Sequence, residues 1–418
     1  MKYLRGTGVL ALSACILLVE LSCGEQYRPV ANPVISPGGQ PAVAHYAWVV
    51  NFNPTGAGST TEIDVSGDSN LSVNSMGNGS VAAAFPASSL ALYVANSTAD
   101  SVSEYLPTLA GSVTTINLLP GSHPVTLGSA QNAAMYVVNQ GTNSACPNTG
   151  SISTITTSTL TVSNTTCVGR NPVAMAQSAT TNYIYVINQG DSTVSVFNPA
   201  GPGIIGTITS ANGLGPNPIS ATASLDGNWI FIVTQGDSKT PSALDIVSSS
   251  GKTVLAHVPL GLGPTFSIID TNLNRLYVAN TAGNTVSVFD SSTVNPTSST
   301  PIPLLATVNV GTTPIGITAL KNGSLFYVLN SGSNDVTVVN ANSFSPLTSV
   351  ALPDGAGPVY ITSDPTSAKV YVADQGTTET TIIQTIDNTI AQNILAPTQA
   401  SGCTAACQYQ QPMMILTQ

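Results

Sequence analysis

The sequence predicts an all-β fold, a ring of four-stranded blades of the β-propeller kind, and three observations carry that expectation. One unit of about 46 residues recurs eight times. Each unit holds four short segments with strand patterning, which is the make-up of one blade. The two ends of the chain supply complementary parts of a single unit, which is how a ring closes.

The unit is clearest in an aromatic–aliphatic run that ends in Asn or a substitute. It reads Trp48-Val49-Val50-Asn51, Tyr93-Val94-Ala95-Asn96, Tyr136-Val137-Val138-Asn139 and Tyr185-Val186-Ile187-Asn188. It continues as Phe231-Ile232-Val233-Thr234, Tyr277-Val278-Ala279-Asn280, Tyr327-Val328-Leu329-Asn330 and Tyr371-Val372-Ala373-Asp374. The last residues of these runs lie 45, 43, 49, 46, 46, 50 and 44 positions apart, a regularity that composition alone does not produce. A polar turn follows each run, as in Gln189-Gly190-Asp191-Ser192.

Next comes strict alternation, for example Thr193-Val194-Ser195-Val196-Phe197 or Thr285-Val286-Ser287-Val288-Phe289. Period two means a half-buried strand with Val inward and Ser or Thr outward. Another strand follows, such as Leu304–Val310. The remaining strand opens on proline, as in Pro172-Val173-Ala174-Met175 and Pro314-Ile315-Gly316-Ile317. Proline is tolerated at the first position of a strand, and the small residues after it fit a strand crowded near an axis. In five units this proline precedes the aromatic residue by 13 positions.

The first unit starts at its aromatic strand near Tyr46, and the chain ends on a proline strand, Pro412–Gln418, with no unit after it. The C-terminal strand is therefore expected to pair with the N-terminal blade and close the ring, protecting edges that would otherwise template aggregation. The count is eight blades, or seven if the first unit is degenerate.

Composition narrows the function classes. Of 418 residues, 9 are Lys or Arg and 19 are Asp or Glu, so 7% carry charge, against about 25% in ordinary soluble domains. Helical bundles and coiled coils need charged faces that this chain lacks. A net charge of -10 argues against a nucleic-acid partner, which requires a basic footprint. No Walker loop, Rossmann fingerprint or zincin motif is present. No cofactor or metal is expected either: Cys-x-x-Cys-His is absent, and no loop gathers the oxygens calcium needs. Polar turn residues such as Asp191, Asp237 and Asn334 fit Asx-turn geometry.

Lys2 and Arg5 precede the apolar run Gly6–Val19, the layout of a signal peptide too short for a membrane span. Leu21-Ser22-Cys23 and Leu12-Ser13-Ala14-Cys15 both resemble a bacterial lipobox. Cys23 leaves the fuller apolar region and is the favoured lipidation site; secretion without lipid is the alternative. Residues 1–22 then form the signal peptide, 23–44 a Pro- and Gly-rich tether, and 45–418 a single propeller domain. The protein is expected outside the cytoplasm, as a monomer held to the envelope by lipid alone.

The Tyr-Val-x-Asn motifs, with Gly-x-x-Pro loops such as Gly169-Arg170-Asn171-Pro172 and Gly311-Thr312-Thr313-Pro314, resemble the YVTN-type β-propeller repeat family of surface proteins. The resemblance spans Tyr46 to Gln418. It implies surface binding in many relatives, and in some a lactonase of the 6-phosphogluconolactonase type.

Loops on the Gly-x-x-Pro face converge on the channel mouth, where propellers bind ligands. His123, Arg170 with Asn171, Asn217 and Gln411 precede the prolines there, and Asp354 lies in the corresponding loop of the last blade. His123 and Arg170 fall on adjacent blades. For lactone hydrolysis, His123 would activate water and Arg170 would hold a carboxylate or polarise the carbonyl. Fold analogy is a poor warrant for chemistry, and a lone loop histidine is usually just solvated. The leading expectation is therefore a non-catalytic binding or scaffold module for an envelope protein, peptide or glycan, contacted by Asn171, Asn217, Asp354 and Gln411. The lactonase is the alternative.

Four cysteines remain, Cys146, Cys167, Cys403 and Cys407. An even number in an exported chain points to disulfides. Cys146 lies in a turn and Cys167 at the end of a strand, and both emerge on one face of the same blade. Cys403 and Cys407 share the loop before the closing strand. Non-reducing peptide mapping is expected to recover Cys146–Cys167 and Cys403–Cys407 as linked pairs. Free thiols at Cys403 and Cys407 would contradict the second bridge.

Overall fold

In a computed structural model the described residues are 46–395 and 410–417, apart from 54–55, 87–90, 108–111, 130–133 and 202. They form eight four-stranded antiparallel sheets, arranged as the blades of a β-propeller. The fourth blade is representative, running from inside outward as Pro172–Gln177, Ile184–Asn188, Thr193–Asn198 and Gly203–Ile208. Each inner strand packs against the inner strands of its two neighbours, and Gln411–Thr417 lies between Pro358–Ser363 and Ser80–Ala84. In the first blade that C-terminal strand is innermost and pairs antiparallel with Tyr46–Phe52, Ala47 opposite Thr417 and Val49 opposite Ile415. The ring closes as the chain ends imply.

A proline opens six of the inner strands and coincides with a recurring irregularity, which the strand opening on Ser80 shares. The register against the second strand shifts just after Pro172, Pro218, Pro264, Pro314 and Pro358. Proline has no N–H to give the ladder, and a bulge at the strand start absorbs that loss.

The core lies between blades. Tyr277, Val286 and Val288 of the sixth blade pack on Phe326, Val328 and Val339 of the seventh in one buried cluster. Second and third strands are buried, whereas an outer strand such as Pro346–Ala351 is exposed along most of its length. Repeated tyrosines tie neighbouring blades as well as filling space. The Tyr185 hydroxyl donates to the Ser249 carbonyl at 2.7 Å, and that of Tyr327 to Asn388 Oδ1 at 2.6 Å.

The asparagine at the end of the second strand has its own role. Asn188 Nδ2 donates to Thr193 Oγ1 at 3.1 Å and to Ser195 Oγ at 2.9 Å. Asn280 repeats this with Thr285 and Ser287, at 3.0 Å each. Asn51, Asn96, Asn139 and Asn330 bind the matching positions of their own third strands. All six are fully buried. The glycine of the Gly-x-x-Pro loop lies flat on this carboxamide. A Cβ on Gly169, Gly261 or Gly311 would come within 2.6 Å of the asparagine of its blade, so only glycine permits the approach.

The eighth blade carries Asp374 in place of the asparagine. Its carboxyl is pushed up to about 7 by burial, with Glu379 adding like-charge repulsion against a hydrogen bond from Thr381. The folded state thus holds a proton that an unfolded Asp releases near pH 4. Stability from this group is present below that value and is lost as pH rises toward 7. Asp374→Asn, which restores the carboxamide of the repeat, is expected to remove this slope and to gain on the order of 2 kcal/mol over wild type at pH 8. Urea unfolding between pH 4.5 and 8 measures the difference; parallel curves for the two proteins would contradict it.

Candidate functional site

Two backbone devices shape the Gly-x-x-Pro face. The residue directly before the inner strand is left-handed in seven blades: Gly79, His123, Asn171, Asn217, Gly263, Thr313 and Gly357, with φ between 47° and 74°. Glycine tolerates that conformation freely, and Asn and His are enriched there among other residues. A side chain in the preceding blade's turn then accepts its N–H. Asp100 Oδ1 accepts from His123 N at 2.7 Å, Asn284 Oδ1 from Thr313 N at 2.9 Å and Ser192 Oγ from Asn217 N at 3.2 Å. These bonds staple blades two to three, four to five and six to seven.

The residues singled out from sequence sit within this scaffold. His123 is half-exposed, its Nδ1 3.0 Å from the Ser97 carbonyl and 3.7 Å from Asp100. Arg170 donates to Asp191 through its backbone N–H and through Nε. Burial pushes the Asp191 carboxyl up, but these Arg170 contacts outweigh it and hold the group below its usual range. His123 and Arg170 share no hydrogen bond or ion pair with each other; each belongs to a different aspartate. Asn171 pairs with Gln189, and the Asn217 side chain donates to the Gly236 carbonyl at 2.7 Å. Asp354 is exposed, and Gln411 begins the closing strand. Asp237 forms the expected Asx turn with the N–H groups of Lys239 and Thr240. Cys146 and Cys167 are bridged. Cys23, Cys403 and Cys407 lie outside the described residues.

The fifth blade breaks the repeat at the clamp itself. Thr234 stands where six blades have asparagine, and Asp245 stands where third strands carry Ser or Thr. His257 lies directly across from Asp245 on the outer strand, a position held by Thr207 in the fourth blade and Thr307 in the sixth. Asp245 Oδ1 lies 2.7 Å from His257 Nδ1, and its Oδ2 accepts the Gly215 N–H at 2.7 Å. The Asp245 side chain is fully buried while His257 is 54% exposed. Burial pushes the Asp245 carboxyl above its usual range, against the pull of Gly215 N–H and His257.

The same blade has lengthened loops. Its turn runs Gln235–Ser242, where the sixth blade needs only Thr281–Asn284. The link from the fourth blade, Thr209–Asn217, contains a short 3-10 turn capped by Thr209 and Asn212. These segments wall a cavity of about 590 Å³ between blades four and five, lined among others by Asp191, Ser210, Leu214, Thr240 and His257. That volume suits a small organic molecule. Asp245 and His257 went unnoticed in sequence because their meaning depends on register. The visible signal was Thr234, the one non-carboxamide, non-carboxylate end to the aromatic run. Among the described residues, no three His, Cys, Asp or Glu side chains stand together as a metal site.

No protein-family model matches the chain, and no curated protein does. Solved structures do. One similar structure is a dihydro-heme d1 dehydrogenase, NirN, in complex with DHE (10% identity, 93% of this chain and 78% of that one, TM-score 0.69). Another is apo AztD from Citrobacter koseri (13%, 90% and 98%, TM-score 0.59). A third is hydrazine synthase from Kuenenia stuttgartiensis (18%, 70% and 95%, TM-score 0.54). At such identities the likeness establishes a shared propeller fold, carried by proteins of varied function.

Proposed function

We propose that this chain is an extracytoplasmic propeller that holds a small polar envelope component, a glycan or peptide fragment, in the cavity between blades four and five. The carrying observation is that cavity, built from the loops that depart from the repeat. Insertions in a repeat protein collect on the binding face, and this one pairs apolar walls with open hydroxyl and imidazole groups, the mixture ligand sites use.

Export is supported by the signal-like N-terminus, by the Cys146–Cys167 bridge and by the resemblance to YVTN-type surface proteins. Among the described residues no helix is long and apolar enough to cross a membrane. In this reading a lipid on Cys23 and the segment 23–44 tether the propeller to the envelope.

Saturation-transfer NMR with a disaccharide–peptide fragment of bacterial cell wall tests the site. Transfer is expected with wild type and is abolished by Thr240→Trp, which fills the cavity from an exposed turn. Transfer that survives the substitution, or none with wild type, contradicts the reading.

A further inference from the structure

The asparagine clamp is a neutral side chain whose amide nitrogen donates twice to the next strand, and this chain uses it in six blades. Burying a carboxylate at the same place costs desolvation that a neutral side chain avoids. The fifth blade nevertheless carries Asp245, and places its only imidazole directly opposite. The eighth blade also buries a carboxylate, Asp374, but against the Thr381 hydroxyl; in the fifth the buried acid faces a histidine beside a cavity, and that pairing answers another demand.

We propose that His257 is a general base, positioned by Asp245, and that the cavity hydrolyses uncharged acyclic carboxylic esters. This rests on the cavity being the ligand site proposed above. The geometry has the required parts. Gly215 N–H and the strand backbone fix the buried carboxylate, and the carboxylate fixes the imidazole through Nδ1. Nε2 makes no hydrogen bond among the described residues, and it lies 3.7 Å from where a Cβ on Gly213 would stand. Gly213 is itself part of the cavity wall, so the unused nitrogen is on the cavity side.

The charges around it fit the role. Asp191 is occupied by Arg170, and Asp237 by the N–H groups of Lys239 and Thr240. Asp245 has His257 as its ion-pair partner, so its charge is available to an imidazolium that forms during reaction. The Asp245 charge beside the imidazole disfavours an anionic group at the reacting carbon and favours departure of a carboxylate product. The Ser210 hydroxyl, on the same wall, makes no hydrogen bond among the described residues and is free to donate to a developing oxyanion.

In the reaction, Nε2 takes a proton from water as the water oxygen bonds to the ester carbonyl carbon. When the adduct collapses, the bond to the alkoxy oxygen breaks and the imidazolium returns the proton to the leaving oxygen. One ester and one water become one acid and one alcohol, and His257 is restored.

The probe is p-nitrophenyl acetate, with equimolar free imidazole as the reference for unassisted reactivity. Wild type is expected to exceed that reference roughly a hundredfold, the usual contribution of a positioned base. His257→Gln should fall to the reference, and Asp245→Asn should lower the rate and displace the pH profile. The triple variant Thr234→Asn, Asp245→Ser, His257→Thr gives the blade the chain's own carboxamide with the second of its two acceptor hydroxyls, Ala243 standing where most other blades carry the first, so it should fold normally by circular dichroism yet lack hydrolysis. A wild-type rate no greater than free imidazole, or a rate unchanged by His257→Gln or by the triple variant, overturns the proposal. Saturation transfer from the wall fragment in His257→Gln separates the two readings. Binding with no wild-type hydrolysis refutes the base alone, whereas loss of binding in wild type refutes the site.

Discussion

A buried carboxamide bridging two strands is the contact on which this fold depends. A chain with so little charge specifies its sheets through Val-in, Ser/Thr-out alternation, and period two alone leaves register weakly defined. The asparagine supplies what alternation lacks. By donating to side-chain oxygens at the start of the next strand, it fixes where the hairpin begins and which residues face one another. The glycine against it then determines how closely the inner strand's loop can approach. Moving the register by one residue would bury an unpartnered amide, at a cost of about 1–3 kcal/mol.

From that contact the ring follows. Fixed registers present matching apolar faces, so Tyr277 of one blade meets Phe326 of the next. Left-handed residues before the inner strands, stapled to the preceding turn by groups such as Asp100 and Ser192, set the angle at which each blade enters. Closure uses the same means: beyond the strand pairing of Gln411–Thr417, Lys369 of the eighth blade reaches the Val65 carbonyl and Asp68 of the first.

This hierarchy explains what could be read from sequence. Strand identity, blade count and closure are repeated or terminal features, and repetition makes them visible without knowledge of contacts. The Cys146–Cys167 pairing was legible too, because both residues sit at named points of one unit. The site was not. His123, Asn171 and Asn217 stood out as a ring of polar groups, yet they share a backbone conformation that accounts for Asn and His there without any ligand. Asp245 and His257 lie twelve positions apart in strands that look ordinary, and only cross-strand register makes them a pair. The informative residues were departures from the clamp, Thr234 and Asp374, which read as tolerated substitutions until the clamp itself was known.

The central claim is that the carboxamide bridge, rather than strand propensity, holds each blade. Asn280→Ala tests it most directly, because it removes two donors at one stroke and leaves the Thr285 and Ser287 hydroxyls without them. The account predicts a loss of about 2–3 kcal/mol in urea-unfolding free energy, with faster amide exchange concentrated in strands Arg275–Asn280 and Thr285–Asp290. A change within about 0.5 kcal/mol, the range of ordinary surface substitutions, with exchange unaltered in those strands, would contradict it.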